Sequence, residues 1–284
     1  MSIGVSRQLA RCSVIVALGF AIGAMTGVAG AVEPQFFDKE GSPLSFKSYD
    51  EVESFLSDAA IVWKEKMSAG TNKHKRKVML QEGNKNVRAI LRTSYEIKDT
   101  PGGGFVDSYT SELAAYRLAL LLGLDNVPPV VRRKGGSLQI WIENATTDAA
   151  RREAGEEPAD PERFERQVMN MVVFDNLIAN TDRNPGNIII DSHGKVWFID
   201  QTRSFAGQEE LRYEDKMTGC SRQLWEKLQS VSDAEIRDVV GPYAKDYMSA
   251  LLVRRRMLVE AIAQRIQTQG EDGFLFDAAR PQLD

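Results

Sequence analysis

A turn-rich segment, Asn180–Asn187, follows a strongly apolar stretch and precedes two short hydrophobic runs. The apolar stretch, Phe164–Ile178, predicts a buried helix, and the runs Ile188–Ile190 and Val196–Ile199 predict strands. Turn-forming residues at 191–194 join the two runs, so the strands are expected to form a hairpin. A buried helix that leads through a polar loop into a hairpin restricts the fold more than any other feature of the chain.

Three oxygen-bearing side chains are expected to meet at one end of this hairpin. Asp182 lies in the loop, Asn187 stands where the loop enters the first strand, and Asp200 ends the second strand, with Arg183 nearby. Phosphoryl transfer from a nucleotide uses such a set, because one carboxylate orients the attacking hydroxyl and an oxygen-ligand pair holds magnesium. Alone, Asn184–Asn187 also fits an ordinary turn. The joint order of the three side chains favours the chemical interpretation.

Composition restricts the class of protein. The 284 residues are 43% hydrophobic and 27% charged, which excludes a disordered chain and a coiled-coil rod. Two cysteines and two histidines are too few for a disulfide framework or a zinc cluster. The net charge of −4 argues against a nucleic-acid partner, because non-specific binding to phosphate backbones requires a basic surface. We therefore expect a globular protein large enough to carry a cleft.

Residues 1–31 predict a secretory signal peptide. Arg7 and Arg11 form a basic start, an apolar run spans Cys12–Met25, and the segment closes on Ala29-Gly30-Ala31. Cleavage after Ala31 is expected, which predicts a periplasmic or secreted protein without a stable membrane span after cleavage. The alternative is an uncleaved N-terminal membrane anchor, because the apolar stretch is almost long enough to cross a bilayer.

The remaining chain divides into a β-rich first half and a mostly helical second half. A helix is expected over Ser48–Lys66, inside an N-terminal extension of residues 32–76, because apolar residues recur there at helical spacing. Residues 77–144 predict a small α+β unit, and residues 145–284 predict a helical unit that the hairpin interrupts near its start.

The small α+β unit is predicted to hold a hairpin and one helix. Lys77–Leu80 and Val87–Arg92 are strand-like runs, and Glu82–Asn86 between them has strong turn chemistry. Thr110–Leu122 predicts the helix. Two further strands are expected after it, at Val130–Arg133 and Leu138–Ile142.

Several charged residues have a simpler interpretation than a functional one. The basic run Lys73–Lys77 fits a solvated loop tip better than a patch that binds phosphates or headgroups, and Arg254–Arg256 fits a solvated helix face. His193 is expected to face solvent. Arg203 closely follows Asp200 and is a weaker candidate for a contact with substrate.

The segment Asn180–Asn187 resembles the catalytic loop of the atypical kinases. It is similar to the loops of the phosphatidylinositol 3- and 4-kinases, the HipA-type toxin kinases and the secretory-pathway kinases of the Golgi casein kinase family. Val87–Arg92 resembles the strand that carries the nucleotide-binding lysine in the secretory-pathway kinases. Glu112–Tyr116, continuing to Val127–Pro129, resembles their αC helix and the following strand. The resemblance covers residues 77–205.

This resemblance implies a fold and a reaction. The fold would be a two-lobed protein-kinase-like fold of the α+β class, with a small β-rich N-lobe that carries one key helix and a mostly helical C-lobe. The reaction would be transfer of the γ-phosphoryl group of ATP, with Mg²⁺ or Mn²⁺, to a hydroxyl of a protein, glycan or lipid headgroup.

The resemblance also implies roles for individual residues. Asp182 would be the catalytic aspartate, and Asn187 and Asp200 would be metal ligands in the same catalytic set. Arg92 would stand at the position of the nucleotide lysine and pair with Glu112. The remaining nucleotide-binding residues would be Lys85, in a turn over the phosphates, and Ile140, Trp141 and Ile142, in the strand and hinge beside adenine.

Two departures from the kinase pattern leave other activities open. Arg92 replaces the lysine with a bulkier group of different geometry, so that Lys85 or Arg88 would be another source of the phosphate-binding cation. Asp200 is followed by Gln201-Thr202-Arg203, where kinases have Phe-Gly or Asn-Gly. The alternative is therefore a pseudokinase that binds a nucleotide or a partner without turnover. A third hypothesis is transfer of the nucleotidyl group on the same fold.

Overall fold

The computed structural model describes residues 35–67, 74–98, 105–133 and 135–277. The predicted signal peptide of residues 1–31 lies outside the described residues. Within the described ranges, no helix is long and apolar enough to cross a membrane.

Strands predominate in the first half of the described chain, and helices predominate in the second. The strands are β1 (Phe36–Phe37), β2 (Pro43–Leu44), β3 (Ala60–Lys66), β4 (Lys75–Glu82), β5 (Lys85–Arg92), β6 (Tyr95–Lys98), β7 (Phe105–Ser108), β8 (Val130–Arg133), β9 (Gly136–Ile140), β10 (Ala145–Thr147), β11 (Ile188–Asp191), β12 (Val196–Phe198), β13 (Cys220–Ser221) and β14 (Leu275–Phe276). The helices are α1 (Tyr49–Asp58), α2 (Tyr109–Leu121), α3 (Asp148–Glu153), α4 (Pro161–Ile178), α5 (Arg222–Ser230), α6 (Asp233–Ala244), α7 (Met248–Gln269) and α8 (Glu271–Phe274). The predicted α+β class is confirmed, as is the division into a β-rich first half and a mostly helical second half.

The first half is built on a five-stranded antiparallel sheet in the order β3-β4-β5-β9-β8. Side chains alternate between its faces, so each cross-strand pair shares one face. Val78, Ala89 and Ile140 lie on one face, where they pack with the buried side chains of α1. Arg92 and Gln139 lie on the other face, which is turned toward α2. The apolar face makes the core, and the other face is left for polar chemistry.

The helix predicted over Ser48–Lys66 is wrong in its second half. Helix α1 begins as expected, because the Ser48 side chain accepts a hydrogen bond from the Glu51 amide. It ends at Asp58, and the rest of the predicted helix is β3, which pairs with β4 at the edge of the sheet. The β-branched and aromatic residues at 61–63 suit a strand that gains pairing and packing in the tertiary structure. The sheet therefore includes residues that the prediction assigned to the N-terminal extension.

Helix α2 lies between the sheet and the C-terminal helices. Ser108 caps it, and its side chains contact both β8–β9 on one side and α6 on the other. Nearly every side chain in its central turns is buried for this reason, including the polar Glu112. A charged group at such a position requires a partner within the structure.

Helix α4 delivers the predicted loop, and a buried arginine holds its end. The helix begins with Asp160 as its cap and Pro161 in its first turn, and it ends at Ala179 in the left-handed region. Arg254 of α7 donates from Nε to the carbonyl of Leu177 at 2.8 Å and from Nη1 to the carbonyl of Ala206 at 3.3 Å. The prediction that Arg254 belongs to a solvated face is wrong, since its side chain is fully buried.

We expect the core between α1 and the sheet to contribute strongly to stability. Leu56→Ala should lower the free energy of unfolding by about 2–5 kcal/mol, because Leu56 is fully buried and the change leaves a cavity. The exposed neighbour in the same helix, Ser57→Ala, should change it by less than about 0.5 kcal/mol. Urea unfolding measures both, and equal small effects would show that α1 does not pack on the sheet.

Candidate active site

A buried ion pair fixes the loop that carries Asp182. Asp175, in the last turn of α4, accepts hydrogen bonds from Arg183 Nε at 2.7 Å and Nη2 at 3.0 Å. Arg183 Nη1 donates to the carbonyls of Asn187 at 2.7 Å and Ile199 at 2.8 Å. One guanidinium thus joins the end of the helix to both strands of the β11–β12 hairpin.

Two asparagines hold Asp182 in place. Asn180 donates to Asp175 at 3.0 Å and accepts from the Asp182 amide at 3.0 Å. Asn187 Nδ2 donates to the Asp182 carbonyl at 2.8 Å. The backbone of Asp182 is therefore held on both sides, while its side chain remains 36% exposed.

Asp200 stands after β12 in a left-handed backbone conformation, with φ of 61°. Non-glycine residues adopt this region at some cost, and such residues concentrate at functional sites. The Ile199 amide donates to the Asn187 carbonyl at 3.1 Å, which sets Asp200 beside Asn187. Thr202 Oγ1 donates to Asp200 Oδ1 at 3.2 Å.

Two cations from the sheet face Asp200. Lys75 and Arg92 are directly opposite each other in the β4–β5 pairing and lie on the polar face. Lys75 Nζ is 2.6 Å from Asp200 Oδ2, and Arg92 Nη2 is 4.0 Å from Asp200 Oδ1. The carboxylate of the second half thereby meets the basic face of the first half across the cleft between the two.

The predicted pairing of Arg92 with Glu112 is present and involves a third residue. Arg92 Nε is 3.4 Å from Glu112 Oε1. Gln139 lies between them: it accepts from Arg92 Nη1 at 2.9 Å and donates to Glu112 Oε2 at 3.4 Å. These side chains are 0–2% exposed, so the group is sealed beneath α2.

Burial and charge act in opposite directions on the two carboxyls of the site. Burial raises the pKa of Glu112 above its ordinary value, and Arg92 offsets this effect only in part. Burial opposes ionisation of Asp200 as well, but Arg92 and Lys75 outweigh it and hold the pKa of Asp200 below its ordinary value. The surroundings of Asp200 therefore favour its ionised form more than water does.

The ligand chemistry at Asn187 and Asp200 fits a hard divalent cation. Magnesium prefers oxygen ligands and commonly takes one or two from the protein, the rest coming from phosphates and water. Because Asn187 uses its Nδ2 on the Asp182 carbonyl, its Oδ1 remains an available oxygen ligand next to Asp200. Among the described residues, no three His, Cys, Asp or Glu side chains form a closed metal cluster.

A cavity of about 560 Å³ lies at the hinge end of the cleft, with Trp141, Ile142 and Glu143 in its lining. Arg88, which also lines it, donates two hydrogen bonds to Glu143. Lys77 Nζ lies 4.2 Å from the centre of the Trp141 ring. The predicted hinge residues Trp141 and Ile142 thus line a cavity, and the Trp141 ring lies under a lysine ammonium.

Two predicted nucleotide-binding residues lie elsewhere. Ile140 is 2% exposed and packs in the apolar core with Ala89, on the face of the sheet that is turned away from Asp200. Lys85 pairs with Glu82 at the far end of the β4–β5 hairpin, and its Nζ donates to the Ser45 carbonyl at 3.1 Å. The turn 82–86 is therefore remote from Asp200 and does not cover the site.

Arg203 lies beside the exposed Asp182. Its Nη1 is 3.4 Å from Asp182 Oδ2, and the two side chains are 38% and 36% exposed. The candidate contact of Arg203 with substrate is compatible with this position at the mouth of the site.

Sequence reasoning missed Lys75, Asp175 and Gln139. Lys75 was assigned to a solvated basic loop, although it begins β4. The alternation of Lys75 and Lys77 with buried Val78 and Leu80 is a weak strand signal that includes it. Asp175 and Gln139 lie within apolar runs, and polar residues in such runs indicate buried partners.

We expect the stability of the loop to depend strongly on the ion pair between Asp175 and Arg183. Asp175→Ala should lower the free energy of unfolding by about 3–5 kcal/mol, because it leaves the buried Arg183 charge without its partner. The exposed pair of Glu162 and Arg166 provides the control, and Glu162→Ala should lower it by less than about 1 kcal/mol.

Urea unfolding of Asp175→Ala, Arg183→Met and the double variant measures the coupling between the two residues. The double variant should lose less than the sum of the single losses. Strict additivity would contradict a direct energetic pair.

Comparisons with known proteins do not identify a family for this chain. No family model matches the chain, and no curated protein matches it. One similar solved structure is the Helicobacter pylori proinflammatory kinase CtkA, with a TM-score of 0.49 and 10% sequence identity, over 75% of this chain and 97% of that chain. At this score and identity, the similarity identifies neither an activity nor a substrate.

Proposed function

We propose that this protein is a kinase-like phosphotransferase that transfers the γ-phosphoryl group of ATP to a hydroxyl. One observation carries the proposal. Asp182, Asn187 and Asp200 come together on one side of a cleft, and Lys75 and Arg92 face Asp200 from the other side. A site with carboxylates on one wall and cations on the other suits a metal-bound polyphosphate.

Asp182 would act on the acceptor hydroxyl. Its carboxylate is the exposed one of the set, and its backbone is held by Asn180 and Asn187. A carboxylate in a fixed position at the mouth of the site can orient the hydroxyl and take up its proton.

Asp200 and the Oδ1 of Asn187 would hold Mg²⁺ or Mn²⁺. When bound, the ion would neutralise negative charge on the phosphates. The lowered pKa of Asp200 keeps its carboxylate ionised and ready for this role.

The nucleotide base would occupy the cavity beside Trp141. Arg88, which lines this cavity, and Arg92, beside Asp200, are four residues apart on one face of β5. That spacing is roughly 13 Å along a strand, which is comparable with the length of an extended nucleoside triphosphate. The base and the terminal phosphate would therefore lie at the two ends of the same cleft.

A pseudokinase that binds a nucleotide or a partner without turnover is the second candidate. It is favoured by the ion pairs already made by the two carboxylates, Asp182 with Arg203 and Asp200 with Lys75. Turnover requires both pairs to open or rearrange when substrates bind.

Asp182→Asn and Asp200→Asn should have different effects. Asp182→Asn should retain ATP binding but lower phosphoryl transfer by about 10²- to 10⁴-fold, because it removes the proton acceptor. Asp200→Asn should remove the magnesium-dependent part of ATP binding. The exposed Asp246→Asn is the matched control and should change neither.

Calorimetric titration with ATP, with and without magnesium, measures binding, and intact-mass analysis after incubation with ATP measures self-modification. An added mass of about 80 Da indicates phosphorylation, and about 329 Da indicates nucleotidyl transfer. Binding without any modification or ATP turnover would support the pseudokinase. Absence of ATP binding would refute the phosphotransferase and the nucleotide-binding form of the pseudokinase.

We propose in addition that the protein is exported. The basic start, apolar run and Ala29-Gly30-Ala31 ending support cleavage after Ala31. When the full chain is expressed in a bacterial host, periplasmic protein should begin at Val32, as determined by N-terminal sequencing. An intact N-terminus in the membrane fraction would instead support the anchored alternative.

A further inference from the structure

Two cations of the proposed site are candidates for binding phosphate. Lys75 and Arg92 are cross-strand neighbours on the polar face of the sheet, and both approach Asp200. They differ in burial, in partners and in distance from the carboxylate.

The Arg92 side chain is buried and already contacts other side chains. Its side chain is 2% exposed, it lies against the buried Glu112, and its Nη1 donates to Gln139. Its Nε makes no hydrogen bond among the described residues but lies 3.4 Å from Glu112 Oε1, so charge and the bond to Gln139 hold the guanidinium inside. A phosphate that reached Arg92 would have to enter this sealed group and compete with the Glu112 carboxylate. Burying another anion beside Glu112 is unfavourable.

The Lys75 ammonium is more accessible to a ligand than the Arg92 guanidinium. Its side chain is 14% exposed, and its ammonium contacts a carboxylate, with Nζ 2.6 Å from Asp200 Oδ2. A lysine ammonium is a compact charge on a flexible stem and carries three donors, so it can keep one partner and gain another. The carboxylate that it touches is the one proposed to hold the metal, and phosphate oxygens bound to that metal would lie within reach of the same ammonium.

We propose that Lys75 binds the nucleotide phosphates in place of the lysine that the kinase pattern expects at position 92, and that Arg92 is a structural residue that neutralises Glu112. This inference rests on the proposed nucleotide-binding function. It explains how a chain with arginine at position 92 retains a phosphate-binding lysine: the ammonium comes from the adjacent strand, directly across the pairing.

The test compares the affinities for ATP and for adenosine, because only ATP carries phosphates. Lys75→Met should weaken ATP binding by about 10- to 100-fold, the effect of losing a charge-assisted contact. Adenosine binding should change by less than about twofold, and the loss for ATP should persist without magnesium, since the ammonium contacts phosphate directly. Titration calorimetry at fixed ionic strength measures the affinities for ATP with magnesium, for ATP without magnesium and for adenosine.

Two further variants serve as controls. Lys85→Met removes a lysine from the far end of the same hairpin and should leave both affinities unchanged. Arg92→Lys separates the two cations: it should lower the thermal stability of the protein and change the ratio of ATP to adenosine affinity by much less than Lys75→Met does. It keeps a positive charge beside Glu112, so the fold is expected to persist.

Several outcomes would overturn the assignment. An unchanged ratio in Lys75→Met would refute it while leaving the proposed function intact, provided that the wild-type protein binds ATP. Tighter ATP binding in Lys75→Met would show that Lys75 blocks Asp200 rather than serving the nucleotide. A changed ratio in Arg92→Lys alone would assign the phosphates to Arg92. Wild-type protein that binds no ATP would refute the proposed function and this assignment together.

Discussion

The buried pair of Asp175 and Arg183 is the interaction on which the rest of the site depends. Arg183 has four hydrogen bonds, two to one carboxylate at the end of α4 and two to carbonyls just before β11 and just after β12. Removing a charge from water is unfavourable unless the protein replaces its hydration with well-placed partners, and this arrangement does so for both members of the pair. Because the same guanidinium contacts the helix and both strands, the loop between them has little freedom. Asp182 and Asp200 are positioned by an interaction in which neither takes part.

The sheet presents charged side chains on one face and buries apolar side chains on the other. The register of β4, β5 and β9 places Val78, Ala89 and Ile140 under α1 and leaves Lys75 and Arg92 on the opposite face. Strand alternation makes this separation automatic once the pairing is set. The alternation that buries the apolar side chains therefore also turns Lys75 and Arg92 toward Asp200. Helix α2 closes the arrangement, since it carries Glu112 beneath the sheet, where the positive charge of Arg92 needs a partner.

How far the sequence predicts this structure can be judged from particular residues. The order of helix, loop and hairpin over 164–199 was predictable, because apolar periodicity and turn residues are local signals. The pairing of Arg92 with Glu112 followed from the resemblance to kinases and is present. The strand Ala60–Lys66 was predicted as a helix, because its apolar residues satisfy helical spacing and only pairing with β4 decides between the two. Arg254 was predicted to be solvated, because three successive arginines on a helix do not reveal which of them faces the interior.

Three features could be predicted from the sequence alone: the set of Asp182, Asn187 and Asp200, the hairpin that joins its last two members, and the division into a β-rich and a helical half. These follow from residue identity and from spacing along the chain. The cations that lie beside Asp200 could be identified only from the three-dimensional structure. Lys75 lies beside Asp200, and Lys85 lies at the far end of the same hairpin, although both are lysines of similar local setting. Strand register and the packing of the two halves across the cleft make that choice, and both depend on contacts between residues far apart in the chain.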